Sequence, residues 1–126
     1  MSDKGKYRKD QVHIDAMSGE GKGKKFDDDK APVVQGCFHY FPRALQAVTH
    51  LSKYGLEKYD LEYDDKNFMK LDPDRIMNAI GRHLMQEAID GMYDEESNHL
   101  HAIAVAWEAL ARLEILLDSG LPQVKA

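Results

Sequence analysis

From Pro42 onward, apolar side chains recur with the period of an α-helix. Ala44, Val48, Leu51, Gly55 and Tyr59 fall at i, i+4, i+7 spacing with Leu45, Ser52 and Leu56 beside them, which predicts a first helix over 42–59. Its opposite line holds Gln46, His50, Lys53 and Glu57, the pattern of a solvated face. A second helix is expected over 73–90. It opens at Asp72-Pro73-Asp74, where proline in the first turn sets φ and gives up no intrahelical hydrogen bond. Its apolar stripe is Met77, Ile80, Leu84 and Ala88. His83, Glu87 and Asp90 share a flanking strip, and Arg82 lies on the far polar side. The run "DGMYDEES" turns the chain. A third helix is expected over 95–118, with acidic residues where the N-terminal dipole favours them and a stop at "DSGLP". Ile103, Ala106, Leu110, Leu113 and Leu117 make its stripe, with Trp107 at the edge and His101, Glu108 and Arg112 on the other side.

Three amphipathic helices with short connections and almost no strand signal give an all-α fold, a small helical bundle of three or more helices. With 126 residues and 43% hydrophobic content the chain suffices for one core. The composition changes near residue 33: the preceding stretch is glycine-rich and charged, so residues 1–24 are expected to be a flexible tail and 25–126 a single domain. "GKGKK" lacks the glycine and Lys-Ser/Thr spacing of a phosphate loop. So few helices leave apolar surface, including Val105 and Leu116, that a homo-oligomer, dimer or higher, would cover.

The net charge of −5 argues against nucleic acid as a partner, because neutralising phosphates needs clustered Lys and Arg; an anionic ligand would be small and held locally. A single cysteine, Cys37, fits a reducing compartment, and the sequence has no apolar run of membrane-spanning length and no secretory h-region. The expected location is the cytoplasm.

The candidate chemistry gathers around the turn between helices two and three, where His83, Glu87, Asp90, Glu96 and His101 lie within about twenty positions. Facing helices that project carboxylates and imidazoles at i, i+3 or i+4 spacing can hold a divalent ion, and oxygen-rich sets favour Mg²⁺ or Mn²⁺. A hydrated face with weak surface pairs has the same spacing, so both readings stay open here.

The runs "KFDDDKAPV", "GCFHYFPRALQAVTHLSKYGLEKY", "GRHL" and "HAIAVAWEALARLE" together resemble the phage dATP/dGTP diphosphohydrolase family over roughly residues 25–114. The similarity rests on Lys25, Phe26, Asp27 and Lys30, on Phe41-Pro42, on Lys53, Tyr54, Gly55 and Glu57, on Arg82-His83-Leu84, and on His101 before Ala106-Trp107. It implies hydrolysis of a purine deoxynucleoside triphosphate, dATP or dGTP, to the monophosphate and pyrophosphate, in host cytoplasm for a phage protein. It also suggests kinship with the MazG-like all-α pyrophosphohydrolases.

For such a reaction Glu57, Glu87, Asp90 and Glu96 are the candidate metal ligands for Mg²⁺ or Mn²⁺, and Glu57, His83 and His101 the candidate catalytic groups. Lys30, Lys53 and Arg82 would pair with phosphates and Trp107 would stack the purine, although a lone Trp at a helix edge also serves as packing. The chain departs from the family at Asn78, where members often have Asp, and at Ala104, where some have a second His; it also lacks the strict Glu-x-x-Glu and Glu-x-x-Asp of the MazG-like enzymes. A non-catalytic helical adaptor and a nucleotide-sensing protein are the alternative functions.

Overall fold

The structure, a computed structural model, describes residues 30–125. The expected tail at 1–24 and the motif residues Lys25, Phe26 and Asp27 lie outside the described residues. The chain divides into two compact units after Tyr40. In the first, Val34–Phe38 form one π-helical turn, with the His39 N–H donating to the Val34 carbonyl at 2.8 Å.

The second unit is all α, and two of its three long helices have the bounds that the apolar periodicity predicts. Helix α1 spans Pro42–Tyr59, α2 Pro73–Asp90 and α3 His101–Asp118. Proline occupies the first turn of both α1 and α2. Helix α1 ends where Asp60 takes a left-handed conformation, φ 55°, and two short 3₁₀ turns, Tyr63–Asp65 and Asn67–Lys70, lead to α2. At the head of α2 the Asp72 carboxylate accepts from the Asp74 N–H at 2.9 Å, satisfying a donor that the helix itself leaves unpaired. Asp72→Ala should therefore lower stability by about 1 kcal/mol. Urea unfolding followed by circular dichroism checks this, and an unchanged midpoint would show that the cap is dispensable. No helix among the described residues is long and apolar enough to cross a membrane.

Helix α3 begins six residues later than the acidic run suggested. The Asp94 N–H donates to the His99 carbonyl and the His101 N–H to the Met92 carbonyl, both at 2.8 Å, around an isolated bridge between Tyr93 and Leu100. Asn98 adopts φ 63°, and the Asp94 side chain accepts the Glu96 N–H at 2.7 Å. These local bonds give the backbone an alternative to the helix, as Asp and Asn side chains commonly do, so Glu96 lies in a closed turn and not on α3.

Helix α3 is central, packing against both α2 and α1. The seam between α2 and α3 departs from the predicted apolar stripes, although Ile80 of the α2 stripe remains on the inward face. Ile76, Ala104, Ala111 and His101 are the buried residues among those described, whereas Leu84 is 52% and Leu113 51% exposed, and Met77 and Leu110 are exposed too. The inward face of α3 thus runs through His101, Ala104, Glu108 and Ala111, and that of α2 through Ile76, Ile80, His83 and Glu87. Two alanines on one face let the helix axes approach closely, and the polar line between them is carried into the seam. The other side of α3 meets α1 at Trp107, whose indole N–H donates to Ser52 Oγ at 2.7 Å and whose ring meets Phe68 edge-on at 5.7 Å.

Candidate metal centre

His83 projects from the inward face of α2, His101 is the first residue of α3, and Asp94 is held in the connecting turn. Because Asp94 Oδ1 takes the Glu96 N–H, its other oxygen is left to face the histidines: Asp94 Oδ2 lies 3.8 Å from His83 Nδ1. His83 Nδ1 and His101 Nδ1 are 2.9 Å apart, and their rings are tilted with centroids at 5.2 Å. Each of the three residues offers one ligand atom, all within 4.8 Å of one another. His101 is 3% exposed, while His83 and Asp94 are each largely shielded.

Burial lowers the pKa of His83, and His101 and Arg82 lower it further against the raising effect of Asp94. The neutral imidazole, the form that binds metals, is therefore favoured. Glu108 approaches from α3, with Oε2 at 4.0 Å from His83 Nε2 and Oε1 buried without a hydrogen-bond partner among the described residues. Burial pushes its carboxyl up to about 7, with the Arg82 charge opposing. The donor set suits a divalent ion. Two nitrogens each about 2.1 Å from one ion at adjacent coordination positions would be separated by about 3 Å, and two imidazoles with a carboxylate are a recurrent set for first-row metals.

Against this geometry, a model of the dATP/dGTP diphosphohydrolase, N-terminal, family matches residues 20–121. The chain belongs to that family. No curated protein and no solved structure matches it. The matched span takes in all three helices and the turn that carries Asp94, so the whole His83–Asp94–His101 group lies inside the family domain.

The other residues singled out from the sequence of this diphosphohydrolase-family chain are distributed unevenly. Arg82 is exposed next to His83, near enough for its charge to act on both His83 and Glu108. Glu87 is half-buried one turn beyond His83 on the same face of α2. Glu57 and Lys53 are exposed on α1, Asp90 is exposed at the end of α2, and Lys30 is exposed in the first unit. Glu96 is exposed and forms an ion pair with Lys58, tying α1 to the turn, and that pairing raises the Lys58 pKa. None of Glu57, Glu87, Asp90 and Glu96 belongs to the three-residue group.

Two residues of the centre received no site role from the sequence. Asp94 read as a helix start and Glu108 as part of a polar face. The available signal was the spacing of His101, Ala104, Glu108 and Ala111, in which small residues alternate with titratable ones along one helix face.

Beside the centre, α1, the 3₁₀ turns and α3 enclose an open groove of about 910 Å³. Trp107, Phe68, Leu56 and Tyr63 contribute to its wall, Ser52 adds a hydroxyl, and Glu108 lines it as well as approaching His83.

Proposed function

We propose that this chain hydrolyses purine deoxynucleoside triphosphates, dATP or dGTP, between the α and β phosphates, giving the monophosphate and pyrophosphate. Water adds to the α phosphorus, the bond to the bridging oxygen breaks, and pyrophosphate departs. The observation that carries this reading is the His83–Asp94–His101 group inside a domain of the dATP/dGTP diphosphohydrolase, N-terminal, family. Those three residues hold one divalent ion, and two imidazoles shift the preference from Mg²⁺ toward Mn²⁺. When bound, the ion neutralises phosphate oxygens and lowers the barrier to attack on phosphorus.

The chain's own groups supply the rest. Glu87 lies on the inward face of α2 and adds an oxygen beside the histidines. Glu57 is assigned as the base that orients water. Arg82 pairs with the phosphates, and Lys53 adds positive charge where the triphosphate extends. The purine and its sugar occupy the groove along Trp107, with the indole as one wall. Kinship with the MazG-like pyrophosphohydrolases and action in the cytoplasm belong to the same reading.

Self-association is part of the proposal. Leu84, Met85 and Ile89 on α2, with Leu110 and Leu113 on α3, leave apolar surface exposed on the chain by itself. Light scattering should give at least a dimer, and Ile89→Glu should shift the mass toward monomer. A monomer mass at high micromolar concentration would overturn this.

The function is tested by incubating the protein with a panel of nucleoside and deoxynucleoside triphosphates in Mg²⁺ or Mn²⁺ and measuring pyrophosphate. Release from dATP or dGTP that a chelator abolishes is the expected result. Nucleotide binding without turnover would make the chain a sensor, and neither binding nor turnover would make it an adaptor.

A further inference from the structure

His83 presents both ring nitrogens to different partners. Its Nδ1 lies 2.9 Å from His101 Nδ1 and 3.8 Å from Asp94 Oδ2, while its Nε2 lies 4.0 Å from Glu108 Oε2. Two imidazole nitrogens at 2.9 Å are either a hydrogen-bonded pair, in which one carries the proton, or two lone pairs aimed at one cation. The proton on the far nitrogen of His83 decides which role its Nδ1 can play. At that far nitrogen stands Glu108, whose side chain is 18% exposed and whose Oε1 has no hydrogen-bond partner among the described residues. At 4.0 Å the contact is too long for a hydrogen bond as it stands, and a small rotation of the ring would bring it within reach.

We propose that Glu108 is a positioning residue: it accepts the Nε2–H of His83 and so holds the His83 Nδ1 lone pair toward His101 and Asp94. The assignment rests on the metal reading given above, and it makes a statement about the protein without metal as well. If His83 carries its proton on Nε2, its Nδ1 accepts, and the 2.9 Å contact then requires His101 to donate from Nδ1. His101 is thereby held in the tautomer less favoured in free imidazole, by a chain that starts at Glu108 on its own helix, seven residues on. With an ion at the site, His101 Nδ1 would be a ligand and its proton would move through solvent to His101 Nε2, so the ring stays neutral, while the proton on His83 Nε2 stays with Glu108. Such an outer carboxylate fixes the orientation and raises the basicity of a ligating histidine, and its loss typically weakens metal affinity by about 10- to 100-fold.

Glu108→Leu keeps the bulk of the side chain and removes the acceptor, while Glu108→Gln keeps an acceptor oxygen and removes the charge. Two measurements are made at pH 8 on parent and variants: ¹⁵N shifts of the histidine rings in metal-free protein, and Mn²⁺ affinity by calorimetry. The parent should show His83 protonated on Nε2 and His101 on Nδ1. The leucine variant should lose this pattern and bind Mn²⁺ about 10- to 100-fold more weakly, with glutamine restoring the pattern and part of the affinity. His83 protonated on Nδ1 in the parent, or a tautomer pattern unchanged in the leucine variant, overturns the proposal. A parent with the expected tautomers that binds no Mn²⁺ upholds the role of Glu108 and overturns the metal reading instead.

Discussion

Asp94→Asn should cut pyrophosphate release from dATP or dGTP by about 100-fold or more, since an ion at such a site supplies several kcal/mol of transition-state stabilisation and each 1.4 kcal/mol is tenfold in rate. The substitution separates two roles of one side chain. Asn retains an oxygen that can take the Glu96 N–H, so the turn before α3 keeps its bond, while the negative charge 3.8 Å from His83 Nδ1 is lost. Helical circular dichroism should be unchanged. The His83 pKa, which Asp94 raises, should fall further in an NMR titration. Parallel assays of Glu57→Gln, Glu87→Gln and Glu96→Gln distinguish the histidine-centred site from one built of the four carboxylates proposed from spacing. Turnover of Asp94→Asn at the parent rate, with Glu57→Gln and Glu96→Gln both inactive, would move the ion away from the seam.

Glu108→Gln should make the metal-free protein more stable at pH 8, by about 3 kcal/mol at most, and leave it unchanged near pH 4. The direction follows from the raised folded-state pKa. An unfolded chain releases the Glu108 proton near the ordinary 4.5, whereas the folded chain keeps it until about pH 7. Between those values the native state holds a proton that the unfolded state has lost, so this contribution to stability is complete below 4.5 and falls away as pH rises to 7. His83 opposes it over part of the range. Its pKa is lowered by folding, so its contribution is present above 6.5 and is lost as pH falls through the depressed folded value. Urea unfolding of parent and variant at pH 4, 6 and 8 isolates the Glu108 share. A difference that does not change with pH would mean that its carboxyl is hydrated and ordinary.

The helices were legible because each depends on neighbours in sequence. The bounds of α1 and α2 follow from Pro42, from the Asp72-Pro73 cap and from a period of 3.6 that local burial imposes. The first turn of α3 was not legible in the same way, because the acidic run from Asp94 satisfies a helix start and a closed turn equally well. The longer-range pairing of Tyr93 with Leu100 selects the turn. His83 and His101 stood out by residue type, whereas Asp94 and Glu108 stayed unassigned, since neither shares a local pattern with both histidines.

What the sequence alone determined is the class of the protein: an all-α chain with three amphipathic helices, a titratable cluster at one interhelical turn, and the likeness to the dATP/dGTP diphosphohydrolase family that the match over residues 20–121 bears out. Only the tertiary structure decided which face of each helix is inside. Helices α2 and α3 each carry two faces able to pack, and hydropathy ranks the one with Leu84, Leu110 and Leu113 first. The seam forms instead on Ile76, Ala104 and Ala111, where small side chains admit close approach and the polar groups among them meet partners across it. Hydropathy scores each position by its own transfer energy, but a helix pair is chosen by the shape of two surfaces at once. That choice is what brings His83, Asp94, His101 and Glu108 together.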